Sequence, residues 1–138
     1  MKVAVNKEYG GFGLSDKALE MIMRRKGFEC VRYKQTKFKY EDEYDEYVRV
    51  DDSTDGFDTM LGSYLIKDIG AVVDNLPGEL IYNDFDIART DVDLIAVLEA
   101  LGNEDVSFGS KVVIIELPDD AVWKIVEHAG YEKLEYEK

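Results

Sequence analysis

The spacing of apolar residues predicts one well-marked helix near the N-terminus. Ser15 is a good N-cap, and Asp16 suits the positive end of a helix in its first turn. The basic residues Arg24 and Arg25 suit the opposite end, and Gly27 is a typical stop. The apolar stripe between them consists of Ala18, Leu19, Ile22 and Met23.

Two later segments also show helical spacing. The first covers residues 62–75, where Leu65, Ile69 and Val73 repeat at helical intervals around a helix-weakening Gly70. The second starts with Thr90 and Asp93, which resemble a capping box, and ends at Gly102. Its apolar face consists of Val92, Leu94, Ile95, Val97, Leu98 and Leu101. We therefore predict helices in both segments.

Other segments show strand patterns. Residues 2–6, 30–33 and 79–82 are short candidates. Residues 111–117 form a continuous run rich in β-branched side chains, which predicts a central strand that is buried on both faces.

Two segments allow both interpretations. In residues 38–50, Phe38, Tyr40 and Tyr44 alternate as in a strand, but the tyrosines also fit helical spacing. Two strands around the acidic residues 41–46 are favoured. The last twenty residues form either a helix capped by Asp119 or Asp120, or a hairpin that turns at Ala129-Gly130, and the hairpin is favoured.

Together these elements predict an α+β fold, in which a mostly antiparallel sheet packs against two or three helices. The 138 residues, 46% of them apolar, suit a single domain over residues 1–138. The only cysteine is Cys30, and neither a signal peptide nor a run of 18 apolar residues is present. We expect a cytoplasmic protein that does not enter a membrane.

The chain has a net charge of −13, and this charge is unevenly distributed. Residues 1–40 carry +6, residues 41–58 carry −8, and the remainder carries −11. The excess of acidic groups disfavours direct binding to nucleic acid and suits a partner protein with a basic surface. Acidic residues that only keep the protein soluble are the alternative.

Conventional catalytic patterns are lacking in the sequence. His128 is the only histidine, and neither a Gly-x-Ser-x-Gly nor a Cys-x-x-Cys motif occurs. We therefore predict that the protein is not an enzyme and that it has no metal and no cofactor.

A glycine-rich turn precedes the first helix and is the main candidate for a ligand site. The amides of Gly10, Gly11 and Gly13 resemble a phosphate-binding turn, with Arg89 as a further anion ligand. However, Asp16 stands where a dinucleotide fingerprint has Gly or Ala. A tight strand-to-helix turn is the simpler interpretation.

Two acidic groups are candidates for cation binding. Asp51, Ser53, Asp55 and Gly56 match the start of a calcium loop, but Gly62 stands where that loop requires Glu. The second group lies around the start of the third predicted helix and could support a metal-assisted hydrolase, although helix capping is the more economical explanation. It consists of Asp84, Asp86, Asp91 and Asp93.

The most distinctive surface feature is a segment in which carboxylates alternate with tyrosines. Carboxylates along a strand can imitate a line of phosphates, and tyrosines add binding area at low entropic cost. A solubilising edge strand is the alternative. The candidate partner-binding residues are Tyr40, Glu41, Asp42, Glu43, Tyr44, Asp45, Glu46 and Tyr47.

Three segments resemble a family of small uncharacterised phage and prophage proteins. They are Asn6-Lys7 with Tyr9-Gly10-Gly11-Phe12, then Asp86 to Asp91 with the helix that ends at Gly102, and Lys111 to Ile125 with its Glu-Leu-Pro-Asp-Asp motif. The chain departs from the family at Ala88 and Val92, where the family has Pro, and at Ala129, where it has Asp. The Asp-Gly form of the family supports the hairpin.

The resemblance implies a phage setting, in which small acidic proteins often block host or defence proteins. The leading hypothesis is therefore a non-enzymatic protein that binds a host or defence protein, for example one that handles nucleic acid, through its acidic Tyr-rich surface. A small-ligand or nucleotide binder that uses the glycine-rich turn and Arg89 is the alternative. Homodimer formation is left open.

Overall fold

A computed structural model describes residues 1–9, 11–50, 62–102 and 110–137, without the side chain of Phe85. Three α-helices are present in these ranges: α1 (Asp16–Arg25), α2 (Lys39–Asp42) and α3 (Val92–Leu101). Nine strands accompany them: β1 (Lys2–Asn6), β2 (Val31–Lys37), β3 (Glu46–Arg49), β4 (Gly62–Leu65), β5 (Val72–Val73), β6 (Ile81–Tyr82), β7 (Val112–Glu116), β8 (Val122–His128) and β9 (Tyr131–Glu137). Two 3-10 turns cover Gly78–Leu80 and Asp84–Asp86.

The prediction of an α+β fold with mostly antiparallel sheet is confirmed, since every strand pair within the described ranges is antiparallel. The chain divides into two compact units, of which one consists of Met1–Arg25 with Asp84–Lys138 and the other of Lys26–Asn83. The assignment of one domain to residues 1–138 stays a prediction. In the described residues, no helix has the length and apolar character to cross a membrane.

The first unit is built on the antiparallel pair of β1 and β7, in which Val3 lies opposite Ile115 and Val5 opposite Val113. Its core contains Val3, Val5 and Leu117. The hairpin of β8 and β9 contributes Trp123 and Leu134 to this core. One face of the hairpin is therefore fixed by packing on the first strand.

Two capped helices complete the first unit. In α1 the buried residues Ala18, Leu19, Ile22 and Met23 are those of the predicted stripe. Helix α3 is capped by Asp91, whose carboxylate accepts hydrogen bonds from the backbone of Asp93 and Leu94, and it ends at Gly102. The helix is confirmed, with the cap one residue after the predicted Thr90.

Strand β7 differs from its prediction as a central strand. It pairs with β1 and with no other strand of the described ranges, and most of its side chains are only half-buried. A run of β-branched residues indicates an apolar strand, but the number of strands that pair with it depends on the rest of the chain.

The C-terminal hairpin is confirmed, with His128 opposite Tyr131 at its end. Ala129 and Gly130 connect the strands with φ angles of 51° and 89°. Two positive φ angles identify a type I′ turn, which matches the twist of the flanking strands. Ala129 adopts this conformation although its Cβ disfavours it.

The second unit is a five-stranded antiparallel sheet with the strand order β5-β3-β2-β4-β6. The predicted helix over residues 62–75 is wrong, because this segment forms β4 and β5. Leu65 is fully buried and pairs with Val31 on one side and Ile81 on the other. Gly70, with φ of 120°, separates the two strands. Pairing with two neighbours thus outweighs a helical propensity that this glycine already weakens.

Tyr33 anchors the loop before β5. Its buried hydroxyl donates a 2.7 Å hydrogen bond to the carbonyl of Gly70 and accepts one from the amide of Ile69. Asp68 accepts hydrogen bonds from the Gly70 amide and from the Arg49 guanidinium, which lies 2.9 Å away. The Gly70 amide, with help from Arg49, lowers the pKa of Asp68.

Candidate functional site

The acidic Tyr-rich segment forms the tip of the hairpin between β2 and β3. The two strands lie in register from Tyr33–Arg49 to Gln35–Tyr47, and a bulge shifts the last pair to Lys37–Glu46. The predicted arrangement of two strands around the acidic residues is therefore correct. The acidic residues themselves differ from the prediction, because most of them lie in α2 and the following turn and not along a strand.

Side chains from within the tip determine its conformation. The carboxylate of Asp42 accepts a 3.0 Å hydrogen bond from the Phe38 amide, at the start of the helical turn. Asp45 accepts hydrogen bonds from the Lys39 amide, at 2.9 Å, and from the Gln35 side chain, at 3.2 Å. Asp42 and Asp45 therefore have a structural role, which sequence reasoning had not distinguished from a binding role.

Glu43 closes the helical turn in a left-handed conformation. Its φ is 72°, and its amide donates a hydrogen bond to the carbonyl of Lys39. An αL residue at this position ends the helix and turns the chain toward β3. The side chains of Glu41 and Glu43 are exposed as a result.

Two tyrosines project from the tip. Tyr40 is 80% exposed and Tyr44 is 49% exposed. The ring of Tyr40 lies 5.7 Å from that of Phe38, and the ammonium group of Lys37 lies 4.9 Å from the ring centre of Tyr44. A hydrogen bond with the Tyr44 hydroxyl raises the pKa of Lys37. Both rings are therefore held by neighbours and remain accessible.

The tip is consequently a small acidic and aromatic knob. Residues 37–46 carry five carboxylates and two lysines, for a net charge of −3. The candidate residues Tyr40 to Glu46 lie together on it, whereas Tyr47 is half-buried in β3 opposite Gln35. Carboxylates around a helical turn do not reproduce the regular spacing of phosphates along a strand. The shape suits insertion into a basic pocket or groove better than imitation of a nucleic-acid backbone.

Arg89, the second candidate, lies next to Phe12 of the glycine-rich turn. Its guanidinium carbon is 3.8 Å from the ring centre of Phe12. Of the candidate glycines, Gly11 has a φ of 102°, Gly13 is half-buried, and Gly10 lies outside the described residues.

The guanidinium of Arg89 is already paired within the protein. It makes a bidentate ion pair with Glu132, which is 4% exposed, while the Arg89 side chain is 22% exposed. The carboxylate of Glu132 also accepts a 2.8 Å hydrogen bond from the amide of Asn6, and Arg89 donates to the carbonyl of Ala4. The backbone carbonyl of Arg89 accepts from the Ala4 amide, at 2.8 Å.

Arg89 and Glu132 thus take the place of a strand along the edge of β1 that faces away from β7. The two charged residues satisfy three polar backbone groups of this edge: the amide and carbonyl of Ala4 and the amide of Asn6. The geometry supports a structural role for Arg89, and an anion would have to compete with Glu132 for it. Sequence reasoning had not identified Glu132. The available signal was its position two residues before Leu134, which places both side chains on the same, core-facing side of β9.

Nearby groups also occupy the start of α1, where a phosphate would bind. The amide of Leu14 donates a 3.0 Å hydrogen bond to the carboxylate of Asp84. The hydroxyl of Ser15 accepts from the amide of Ala18, at 3.2 Å, and acts as the predicted cap. Two amides at the start of α1 are therefore already paired with the protein's own acceptors.

No protein-family model, curated protein or solved structure matches this chain. The resemblance to phage proteins therefore stays a prediction. Two of the residues that carry it, Asn6 and Arg89, bond to Glu132, and the ring of Phe12 lies against Arg89. Asn6 and Arg89 thus belong to a buried polar network of the first unit.

Three of the four aspartates around α3 have separate roles. Asp84 accepts from Leu14, Asp91 caps α3, and Asp93 lies 3.3 Å from the guanidinium of Arg25. Where the structure describes the chain, no three His, Cys, Asp or Glu residues are placed to hold one metal ion. The calcium-loop residues, Asp51, Ser53, Asp55 and Gly56, lie outside the described residues.

Proposed function

We propose that this chain is a non-enzymatic cytoplasmic protein that binds a host or defence protein through the acidic hairpin tip. The observation that carries the proposal is the exposure of Tyr40 and Tyr44 on a tip whose shape is fixed by Asp42 and Asp45. Tyrosines are enriched among interface residues that contribute most binding energy. A tip that is ordered before binding loses little conformational entropy when a partner docks.

The charge of the tip defines the chemistry of the partner surface. Five carboxylates on ten residues favour a basic pocket or groove, such as that of a protein which handles nucleic acid. A field of this kind mainly accelerates association and is screened by salt. Binding should therefore weaken with ionic strength, chiefly through slower association.

A triple variant of the tip tests the proposal. Tyr40→Ala with Glu41→Lys and Glu43→Lys removes an aromatic contact and reverses two charges, and it leaves Asp42 and Asp45 in place. The matched control is Tyr136→Ala with Glu127→Lys and Glu137→Lys, which makes the same exchanges at exposed positions of the C-terminal hairpin.

The measurement is affinity capture of host-cell proteins at low and moderate salt, followed by titration of the enriched protein in purified form. Loss of one hot-spot tyrosine costs about 2 kcal/mol, or about 30-fold in affinity, and the two charge reversals should add to this. We expect the tip variant to lose the partner and the control to retain it. Equal affinity of both variants would contradict a role for the tip.

A further inference from the structure

Strand β8 forms the outer edge of the C-terminal hairpin. It pairs with β9 from Val122–Glu137 to His128–Tyr131, in one continuous register without a bulge. Within the described ranges, no further strand pairs with the opposite edge of β8. Two valines on this strand are also exposed, Val122 by 77% and Val126 by 40%. A regular, exposed edge of this length is a template for a further strand.

The register of the hairpin determines which backbone groups face this edge. The residues that flank a type I′ turn form a hydrogen-bonded pair, here His128 with Tyr131. Because hydrogen-bonded and non-hydrogen-bonded pairs alternate in an antiparallel ladder, every second residue of β8 directs its amide and carbonyl away from β9. These residues are Trp123, Ile125 and Glu127. The same alternation turns the carbonyl of Glu132 outward on β9, and there it accepts a 3.2 Å hydrogen bond from Lys7.

The open edge of β8 therefore presents an amide and a carbonyl from each of three residues. In the part of the chain that the structure describes, these groups of Trp123, Ile125 and Glu127 have no hydrogen-bond partner. The outer edge of β1 is different, because Arg89 and Glu132 satisfy its backbone groups. The first unit thus covers one edge with its own side chains and leaves the other open.

A second copy of β8 fits this edge in one antiparallel register. When Ile125 lies opposite Ile125 of the second copy, Trp123 lies opposite Glu127, and all the outward amides and carbonyls of both copies pair. No like charges are then opposite each other, because Lys124 lies opposite Val126. A shift by two residues loses a hydrogen-bonded pair, and in one direction it sets Lys124 opposite Lys124 of the second copy.

The charge of the hairpin permits the approach of two copies. Residues 122–137 contain two lysines and four glutamates, for a net charge of −2, whereas the whole chain has a net charge of −13. One of these glutamates, Glu132, is paired with Arg89. The remaining repulsion comes from acidic groups elsewhere in the two copies, and salt screens it. Association should therefore strengthen with ionic strength, whereas binding of a basic partner by the tip should weaken.

We propose that β8 is a self-association edge, at which two copies of the chain pair antiparallel about Ile125 and join their hairpins into a four-stranded sheet. The contact is symmetric, as in most homodimers. Val126 packs against the aliphatic part of Lys124 of the second copy, and Val122 lies beside its His128. The inference goes beyond the proposed function and does not depend on it. A dimer would carry two acidic tips, which adds avidity toward a partner with two basic sites.

Hydrogen exchange of the ¹⁵N-labelled full chain tests the edge residue by residue. In a monomer, the amides that are bonded to β9 are protected, and those of Trp123, Ile125 and Glu127 exchange rapidly. We expect a higher protein concentration to slow exchange at these three amides by at least tenfold. A dimer should appear in analytical ultracentrifugation over the same range of concentration, and both effects should increase with salt.

Two substitutions at Val126 separate the proposed register from general electrostatics. Val126→Lys lowers the negative charge of the chain but sets a lysine opposite Lys124 of the second copy, so the dimer should dissociate at least tenfold more readily. Val126→Glu raises the negative charge but pairs with the same lysine, so the dimer should strengthen. The matched control is Val92→Lys, which places a lysine at an exposed valine of α3 and should not weaken the dimer.

A proline tests the contribution of the backbone. Glu127→Pro removes an outward amide and leaves the ladder with β9 intact, because proline is tolerated where the N–H faces away from the neighbouring strand. Glu127→Gln removes the same charge and keeps the amide. We expect the Pro variant to dimerise at least tenfold more weakly than the Gln variant, with circular dichroism as the check on folding. If the Pro variant does not fold, the two Val126 variants decide.

Three results would overturn the inference. The first is a chain that stays monomeric at every concentration and salt. The second is a dimer in which exchange at Trp123, Ile125 and Glu127 is unchanged, which would place the contact on another surface. The third is a shift of the dimer equilibrium in the same direction by Val126→Lys and Val126→Glu. None of these decides the proposed function, since the tip variant has no substitution on β8 and is tested by partner capture.

Discussion

The ion pair between Arg89 and Glu132 gives the sharpest prediction for stability. Glu132→Gln retains the shape of the side chain and an oxygen that can accept from the Asn6 amide, but it removes the charge opposite Arg89. Breaking a buried ion pair by changing one partner costs about 3–5 kcal/mol. Because Arg89 is 22% exposed and can recover some hydration, we expect about 3 kcal/mol, the lower end of that range.

Glu132→Leu should cost more, because it also leaves the Asn6 amide without its acceptor. A buried donor without a partner costs about 1–3 kcal/mol, so the expected loss is about 5 kcal/mol. Unlike an ordinary buried pair, this one should not be replaceable by two apolar residues. The variant Arg89→Met/Glu132→Leu removes both charges, but it still leaves β1 with unpaired groups at Ala4 and Asn6.

Urea unfolding followed by circular dichroism measures these differences. The control is Glu135→Gln on the same strand, whose exposed pair with Lys124 has a distance of 3.8 Å and should contribute less than about 0.5 kcal/mol. In a thermal scan, 3 kcal/mol corresponds to a decrease in Tm of roughly 10 °C. A loss below about 1 kcal/mol for Glu132→Gln, or equal losses for Gln and Leu, would refute the assigned role of the pair.

Two further predictions concern turns. Ala129 has a φ of 51°, which is left-handed and disfavoured for a residue with a Cβ. Ala129→Asn should therefore stabilise the protein by about 1 kcal/mol and raise the midpoint of urea unfolding without changing its slope. An unchanged midpoint would mean that the turn carries no strain. Asp68 has a lowered pKa, chiefly through the Gly70 amide, so it stabilises the fold above its unfolded pKa of about 3.9, and this contribution disappears as pH falls through the folded pKa. The stability difference between the unaltered protein and Asp68→Asn should therefore be largest near neutral pH and shrink below about pH 4, and a difference independent of pH from 7 to 3 would exclude this linkage.

Local sequence determined the elements whose signals lie within a few residues of each other. Helix α1 has its N-cap Ser15 and a stripe at the correct spacing, and α3 is bounded by Asp91 and Gly102. The C-terminal hairpin was also predictable, since Ala129-Gly130 divides two alternating runs. These features depend on backbone geometry and short-range hydrogen bonds, which are similar wherever such sequences occur.

Only the tertiary structure decided the features that depend on distant partners. The segment from Gly62 to Val73 became two strands because β2, β3 and β6 offered backbone partners, which helical spacing alone could not reveal. The same holds for the tip, where Asp45 reaches back to Gln35 and Lys39 and so turns an expected row of carboxylates into a compact knob. Arg89 and Glu132 are 43 residues apart and meet only because β1 and β9 come together. In each case the sequence supplied the charged or apolar group, and long-range pairing selected its partner. The physical reason is that satisfying a buried backbone group stabilises the fold by more than the small differences between residues in helix or strand propensity.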